Sequence, residues 1–330
     1  MPVVQTSTIA ARQLSEDSVE DIAAAADTDA ALFVVTAPPQ IDAAAAIVGT
    51  LDPDGTHQAN GNVWHLVPEG TRWTVAELVS EVIDRARFPG EERRHLVMAD
   101  AHLVSPGAMD RFLKLLEEPP AGVTVWLVCP DLGTLPPALV GRAAATLDLS
   151  ATSRAAQRAT LGELLAAYDI TASAEQLDLT LTQADGDLAL AVAVHRFELF
   201  EQLACRAQPA VSATPTVDAA ALTLALAHLA TALHHKTKKA PAAPTAKKGN
   251  LPTADLSRLN PAAKASLRRL VSTQFLRWES ELADELAAAE TGRARVLCNQ
   301  LLNLRKVREG EKFSAPVGTL LAAGKNAIRA

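Results

Sequence analysis

Few groups along this 330-residue sequence are spaced for chemistry. Asp100 and His102 pair a carboxylate with an imidazole two positions apart, the combination used in general acid–base work. No nucleophile stands near them in sequence, so Asp100 reads as a turn or cap residue at a strand end and His102 as the residue leading into the next helix. Cys129, Cys205 and Cys298 are too far apart for a four-cysteine zinc site or a disulfide framework and read as reduced thiols in a cytosolic protein. Lys236, Lys238, Lys239, Lys247 and Lys248 follow His234 and His235 in a stretch with no acid between Asp218 and Asp255. Such a run either touches nucleic-acid phosphates or keeps a loop solvated, and the absence of an interleaved aromatic for base stacking favours the loop. Arg142 is the only basic residue between Lys114 and Arg154, so any cationic role in that region falls to it.

These residues must be held by elements whose rhythm is readable. The apolar run 31–36 ends at Ala37-Pro38-Pro39, and an Ala-rich helix follows with Asp42 as its cap. Strands are predicted at 63–67, 95–98, 123–129 and 144–149, with helices over 74–86, 106–118 and 136–140 between them. Strands alternating with helices imply βαβ units and a parallel sheet, so residues 1–150 are read as an α/β domain. From 151 onward Ala/Leu helical periodicity takes over, over 152–168 and 173–204 with a turn at Gly186, then 217–235, 259–275, 276–290 and 291–308. A boundary is expected near 208–215, and 234–252 is read as a mobile basic loop between helices.

Composition bounds the function classes. With 48% hydrophobic and 21% charged residues the chain is globular, and no apolar run reaches the ~20 residues that cross a bilayer. The start lacks the basic and apolar regions of a signal peptide. Residues 1–150 carry nine basic and 21 acidic side chains, a net of −12, and the remainder carries 22 and 17, a net of +5. The first part is therefore ill suited to hold a polyanion alone.

One motif is specific. Leu113-Lys114-Leu115-Leu116-Glu117-Glu118-Pro119-Pro120 lies between two strand candidates and is similar to the LLKxLEEPP element of bacterial DNA polymerase III clamp-loader subunits of the gamma and delta-prime type. The stretch 96–149 around it, and His65-Leu66-Val67-Pro68-Glu69-Gly70 with the segment 74–102 upstream, resemble delta-prime subunits, especially actinobacterial ones. The resemblance runs from about residue 31 to 149 and more loosely beyond. It implies a RecA-like AAA+ core (a parallel sheet with helices on both faces) over 1–150, a small helical lid over 151–205 and an all-helical collar over 206–330.

Against that family pattern the nucleotide machinery is degenerate. A working P-loop needs G-x-x-x-x-G-K-[ST], because glycines let backbone N–H groups reach the phosphates, Lys neutralises them and the hydroxyl holds magnesium. The corresponding window starts at Ala37 and has neither glycine; Ala43 stands at the lysine position and Ala44 at the hydroxyl position, while Asp42 adds a negative charge. Ala99 and Asp100 stand where the Walker B acids are expected, Pro130 follows the sensor strand, and the second-sensor arginine position is Ala189. The family's four-cysteine zinc module is missing from 49–62.

The resemblance thus implies a subunit with no nucleotide cofactor and no catalysis of its own. Gly141-Arg142-Ala143 falls where the family carries Ser-Arg-Cys, whose arginine reaches a neighbour's ATP. Arg142 is expected to act as that trans arginine finger, the other reading being an ordinary exposed arginine before a strand. The implied partners are the gamma/tau and delta subunits of a hetero-pentamer, with the sliding clamp and primer-template DNA met through the complex, in the cytoplasm and without a membrane. Lys236 to Lys248 are the candidate DNA contacts. A diverged paralogue serving as an adaptor for other replication or repair proteins is the alternative.

Overall fold

A computed structural model of the chain describes residues 5–69, 72–87, 93–207, 219–234, 241, 259, 261–309 and 317–329. The chain divides into two compact units, Met1–Ala167 with Gly186–Ala189, and Tyr168–Asp185 with Leu190–Ala330. The first opens with α1 (Thr6–Ala11) and α2 (Glu16–Ala26), then β1 (Leu32–Thr36), α3 (Ala43–Leu51), α4 (Thr56–Ala59) and β2 (Val63–Leu66). A helical segment comes next, α-helical in α5 (Val75–Glu77) and α6 (Asp84–Arg87) and π-helical at Leu78–Ile83 between them. β3 (Arg94–Met98), α7 (Pro106–Glu117), β4 (Val123–Cys129), α8 (Pro137–Val140), β5 (Ala145–Asp148) and α9 (Arg154–Ala166) complete it.

The five strands form one parallel sheet in the order β2, β3, β4, β1, β5. Alternation at period two sends Leu32, Val34, Leu96, Met98, Val125 and Leu127 into one apolar cluster, which α7 and the 75–87 helical segment cover. Phe33, Val35, Val97 and Trp126 point the other way and pack with Ala43 to Val48 of α3 and with Ile22 of α2. The sheet therefore has helices on both faces, as the RecA-like expectation required. A Cβ on Gly49 would lie 2.1 Å from the Ser7 backbone oxygen, so only glycine lets α1 approach α3 this closely.

Arg93 and Arg94, neighbours at the start of β3, serve opposite faces. The Arg93 guanidinium donates to the Ala26 carbonyl at 2.8 Å, at the end of α2, and also pairs with Asp29. Arg94, 8% exposed, donates to the Arg85 and Ala86 carbonyls at 2.9 and 3.2 Å. Each cation meets the negative end of a helical segment.

Next to them, Trp126 Nε1 donates to His95 Nδ1 at 3.2 Å, so that nitrogen must be unprotonated. Burial, with help from the Arg93 charge, pushes His95 down to about 4. An imidazole kept neutral in the fold but free to protonate at its ordinary 6.5 when unfolded stabilises fully above pH 6.5 and loses that contribution as pH falls toward 4. Denaturation of wild type and His95→Gln at pH 7 and pH 4.5 checks this: the wild type is expected to lose about 2–3 kcal/mol more than the variant over that interval.

Among its described residues the second unit has helices and no strand: α10 (Ala174–Gln183), most of α11 (Leu188–Phe197), α12 (Phe200–Arg206), α13 (Ala219–Leu233), α14 (Pro261–Ala288), α15 (Thr291–Glu309) and α16 (Val317–Arg329). Two corrections to the sequence reading arise here. The helices expected at 259–275 and 276–290 are one 28-residue helix, since no glycine or proline follows Pro261 within it. The continuous helix expected after Gly186 breaks at Glu198, which adopts a left-handed φ of 55°. Leu267, Leu270, Val271 and Phe275 of α14 and Leu297 and Leu304 of α15 are buried, whereas Val296 and Leu302 are exposed. The expected boundary at 208–215 lies outside the described residues. Among the described residues no helix is long and apolar enough to cross a membrane.

Candidate functional site

Connections leaving β1 and β4 run in opposite directions, to β2 on one side and β5 on the other, which opens a crevice at the C-terminal ends of the strands. The residues that sequence analysis placed at a nucleotide site gather along this edge: 37–44 after β1, Ala99 and Asp100 after β3, and Cys129 and Pro130 at the end of β4.

The helix N-terminus facing that crevice has its own anion. Asp42 is the N-cap of α3, and its carboxylate accepts from the Ala45 backbone N–H at 3.1 Å. A helix N-terminus draws a phosphate because its orphan N–H groups and dipole favour negative charge; here a side chain takes that role. Ala43 and Ala44 are 5% and 2% exposed, packed in the apolar cluster under the sheet and contributing no charge or hydroxyl. Asp42→Ala is expected to lower stability by about 1 kcal/mol, measured as a shift of the urea midpoint, without creating nucleotide affinity.

His65 lies where burial holds its imidazole below the ordinary value while Asp42 and Asp100 pull it back up, so both carboxylates act on one ring. Asp100, two positions after the end of β3, adopts a left-handed φ of 52° and is the N-cap of the turn Ala101–Leu103, its backbone carbonyl accepting from the Leu103 N–H at 2.9 Å. His102 sits inside that turn. The Ala99 carbonyl is occupied by Trp73 Nε1 at 3.0 Å. Cys129 is buried, which raises its thiol to about 11 and leaves it inert. Asp131 bends back to accept from the Gly133 N–H at 2.6 Å. Among the described residues, no group of three His, Cys, Asp or Glu side chains is placed to hold a metal ion.

Gln13 is a participant that sequence reasoning missed. Its side chain is 1% exposed, donates through Nε2 to the Gln40 carbonyl at 3.2 Å and the Gly186 carbonyl at 3.0 Å, and accepts from the Leu188 N–H at 3.3 Å. One amide thus joins the loop after β1 to the turn at Gly186, within the first unit. Nothing in sequence marked it, because a lone Gln at the end of a short helix has no periodic or motif signature. Ala189, which sequence analysis expected at a second-sensor position, is buried in α11.

Arg142 stands at the opposite edge of the sheet. It precedes β5 by three positions, and β5 runs parallel to β1 with Phe33 level with Ala145. A strand of that length separates it from the crevice by on the order of 13 Å. Its Nη1 donates to the Ala138 carbonyl at 2.9 Å and its Nη2 to Glu117 Oε1 at 2.6 Å, and its side chain is 35% exposed. The structure thus separates two groups of sequence-predicted residues: the crevice residues come together, and Arg142 does not join them. Lys236, Lys238, Lys239, Lys247 and Lys248 lie outside the described residues.

No family model and no curated protein matches the chain. Among solved structures it is similar to a DNA polymerase III gamma subunit-related protein from Thermotoga maritima, at 13% identity over 95% of this chain and 100% of that one, with a TM-score of 0.43. It is also similar to the Thermotoga maritima RuvB Holliday junction branch migration motor, at 11% identity over 58% of this chain and 63% of that one, with a TM-score of 0.42. A third similarity is to Drosophila ORC bound to GC-rich DNA and Cdc6, at 14% identity over 95% and 69% of the two chains, with a TM-score of 0.29.

Proposed function

We propose that this chain is a delta-prime-like subunit of a bacterial DNA polymerase III clamp loader that neither binds nor hydrolyses ATP. In this reading it is a stator: it assembles with gamma/tau and delta subunits in the cytoplasm and lends Arg142 to an ATP site on the adjacent subunit. Residues 151–205 take the part of the lid and 206–330 that of the collar that packs the ring. The clamp and primer-template DNA are met through the assembly.

The observation that carries the reading is the Asp42 cap: an anion is already built into the helix end that would hold phosphate, and Ala43 and Ala44 supply nothing to balance another. The LKLLEEPP element over 113–120 supports the family assignment. The placement of Arg142, on the edge away from the chain's own crevice, fits a residue that serves another subunit.

Reconstitution tests the assignment. The purified chain mixed with gamma/tau and delta subunits is expected to elute as one complex whose ATP hydrolysis responds to clamp and primed DNA. Failure to enter such a complex, with the chain folded, overturns the assignment and promotes the adaptor alternative.

A further inference from the structure

We infer that Glu117, within the 113–120 element, is the positioning residue for Arg142. This rests on the reading of Arg142 as a trans arginine finger. Glu117 is the last residue of α7, and Arg142 follows α8; both lie at the edge of the sheet where β4 and β5 begin. The carboxylate takes Nη2 at 2.6 Å while the Ala138 carbonyl takes Nη1 at 2.9 Å, so two anchors on different elements fix the guanidinium plane. A guanidinium has five N–H donors, and these two bonds leave others for a phosphate.

The position of Glu117 runs against its local environment. Helix C-termini carry negative partial charge and favour cations, yet α7 ends in Glu117 followed by Glu118. A carboxylate there is disfavoured by its own helix and is offset by the arginine it holds. Its removal therefore relieves the helix while freeing Arg142, so stability and activity move in different directions. A merely structural ion pair at the surface would change neither by much.

In a finger, a guanidinium held in one orientation meets the charge that develops on the transferred phosphoryl group without first losing rotamer freedom. Glu117 acts on the transition state and not on ATP affinity, so its effect falls on kcat.

The test uses the reconstituted assembly with Glu117→Gln, Glu117→Asp, Arg142→Ala and the Glu117→Gln/Arg142→Ala double variant. Glu117→Gln is expected to lower kcat at the site Arg142 serves about tenfold, with KM for ATP within twofold and an unchanged or higher melting temperature. Glu117→Asp is expected to recover part of the rate, and the double variant to equal Arg142→Ala alone. A Glu117→Gln rate equal to or above wild type, or an effect that multiplies with that of Arg142→Ala, overturns the inference. If Arg142→Ala itself is silent in an intact assembly, the finger reading fails and takes the inference with it. A second measurement needs no assembly: in the isolated chain the Arg142 guanidinium 15N resonances are expected to show restricted motion that Glu117→Gln abolishes. Equal mobility in both overturns the positioning role independently of the clamp-loader assignment.

Discussion

Arg142→Ala is expected to lower ATP hydrolysis at the site it serves by about a thousandfold, the lower end of what a trans arginine contributes to phosphoryl transfer. In the proposed finger role the effect is large because the charge such an arginine meets exists mainly in the transition state. The total rate of an assembly with several ATP sites falls by the share of that one site. Arg142→Lys is expected to recover little, since an ammonium keeps the charge but loses the planar fork that Glu117 and the Ala138 carbonyl hold. The assembly itself should stay intact, because the pair that Arg142 makes with Glu117 is surface-exposed and worth little to stability. Single-turnover hydrolysis, alongside gel filtration of the same samples, separates loss of chemistry from loss of the complex.

Arg206→Ala is the change expected to cost most in folding. Arg206 is 1% exposed, and its guanidinium donates to the Gln183 carbonyl at 2.8 Å, Asp185 at 2.6 Å and Thr273 at 3.0 Å, joining α10, α12 and α14. With the Gln274 amide turned so that both of its ends are satisfied, its nitrogen donates to the Arg206 carbonyl at 3.1 Å and its oxygen accepts from Trp278 Nε1 at 3.0 Å. Removing the side chain leaves Asp185 with Arg277 at 3.4 Å and opens a void among three helices. Losing these hydrogen bonds and opening the void together cost about 2–4 kcal/mol, since Asp185 is partly exposed and keeps Arg277. For a unit of this size that is a fall of roughly 4–16 °C in the melting temperature. The exposed Arg295→Ala serves as a control, expected within about 0.5 kcal/mol of wild type. A fall of less than 2 °C for Arg206→Ala contradicts the view that this network holds the second unit together.

The parallel sheet was legible in the sequence because its strands are short apolar runs closed by Pro, Gly or Asp. β4 coincides with the predicted 123–129, β1, β2 and β3 differ by one residue at one end, and β5 by one residue at each end. The Asp42 cap was legible for the same reason: a carboxylate directly before an alanine run has few other uses. α1 and α2 were not legible. α1 is six residues long with no side-chain cap, and the only trace of its docking is Gly49, which became informative once Ser7 was seen against it. α14 was divided in the sequence reading because its apolar positions drift around the helix, leaving no single stripe to follow past Phe275. At the candidate site, the residue types over 37–44 and at Ala99 and Asp100 were readable one by one, as was their place at the strand ends. The Gln13 bridge, the pairing of Arg142 with Glu117 and the separation of Arg142 from the crevice were not. Each joins positions at least 25 apart in the chain, and only folding brings them into hydrogen-bond distance.

In the proposed reading the Asp42 carboxylate takes the helix end that would otherwise hold a phosphate, so the chain has no nucleotide site of its own. Equilibrium binding of a fluorescent ATP analogue to the purified chain, with magnesium and at physiological salt, tests it most directly. No saturable binding is expected up to millimolar nucleotide, and no change on Asp42→Ala, because removing one negative charge supplies neither the glycines nor the lysine of a phosphate cradle. Saturable binding in the micromolar range that is abolished by substitutions in 37–44 would contradict it.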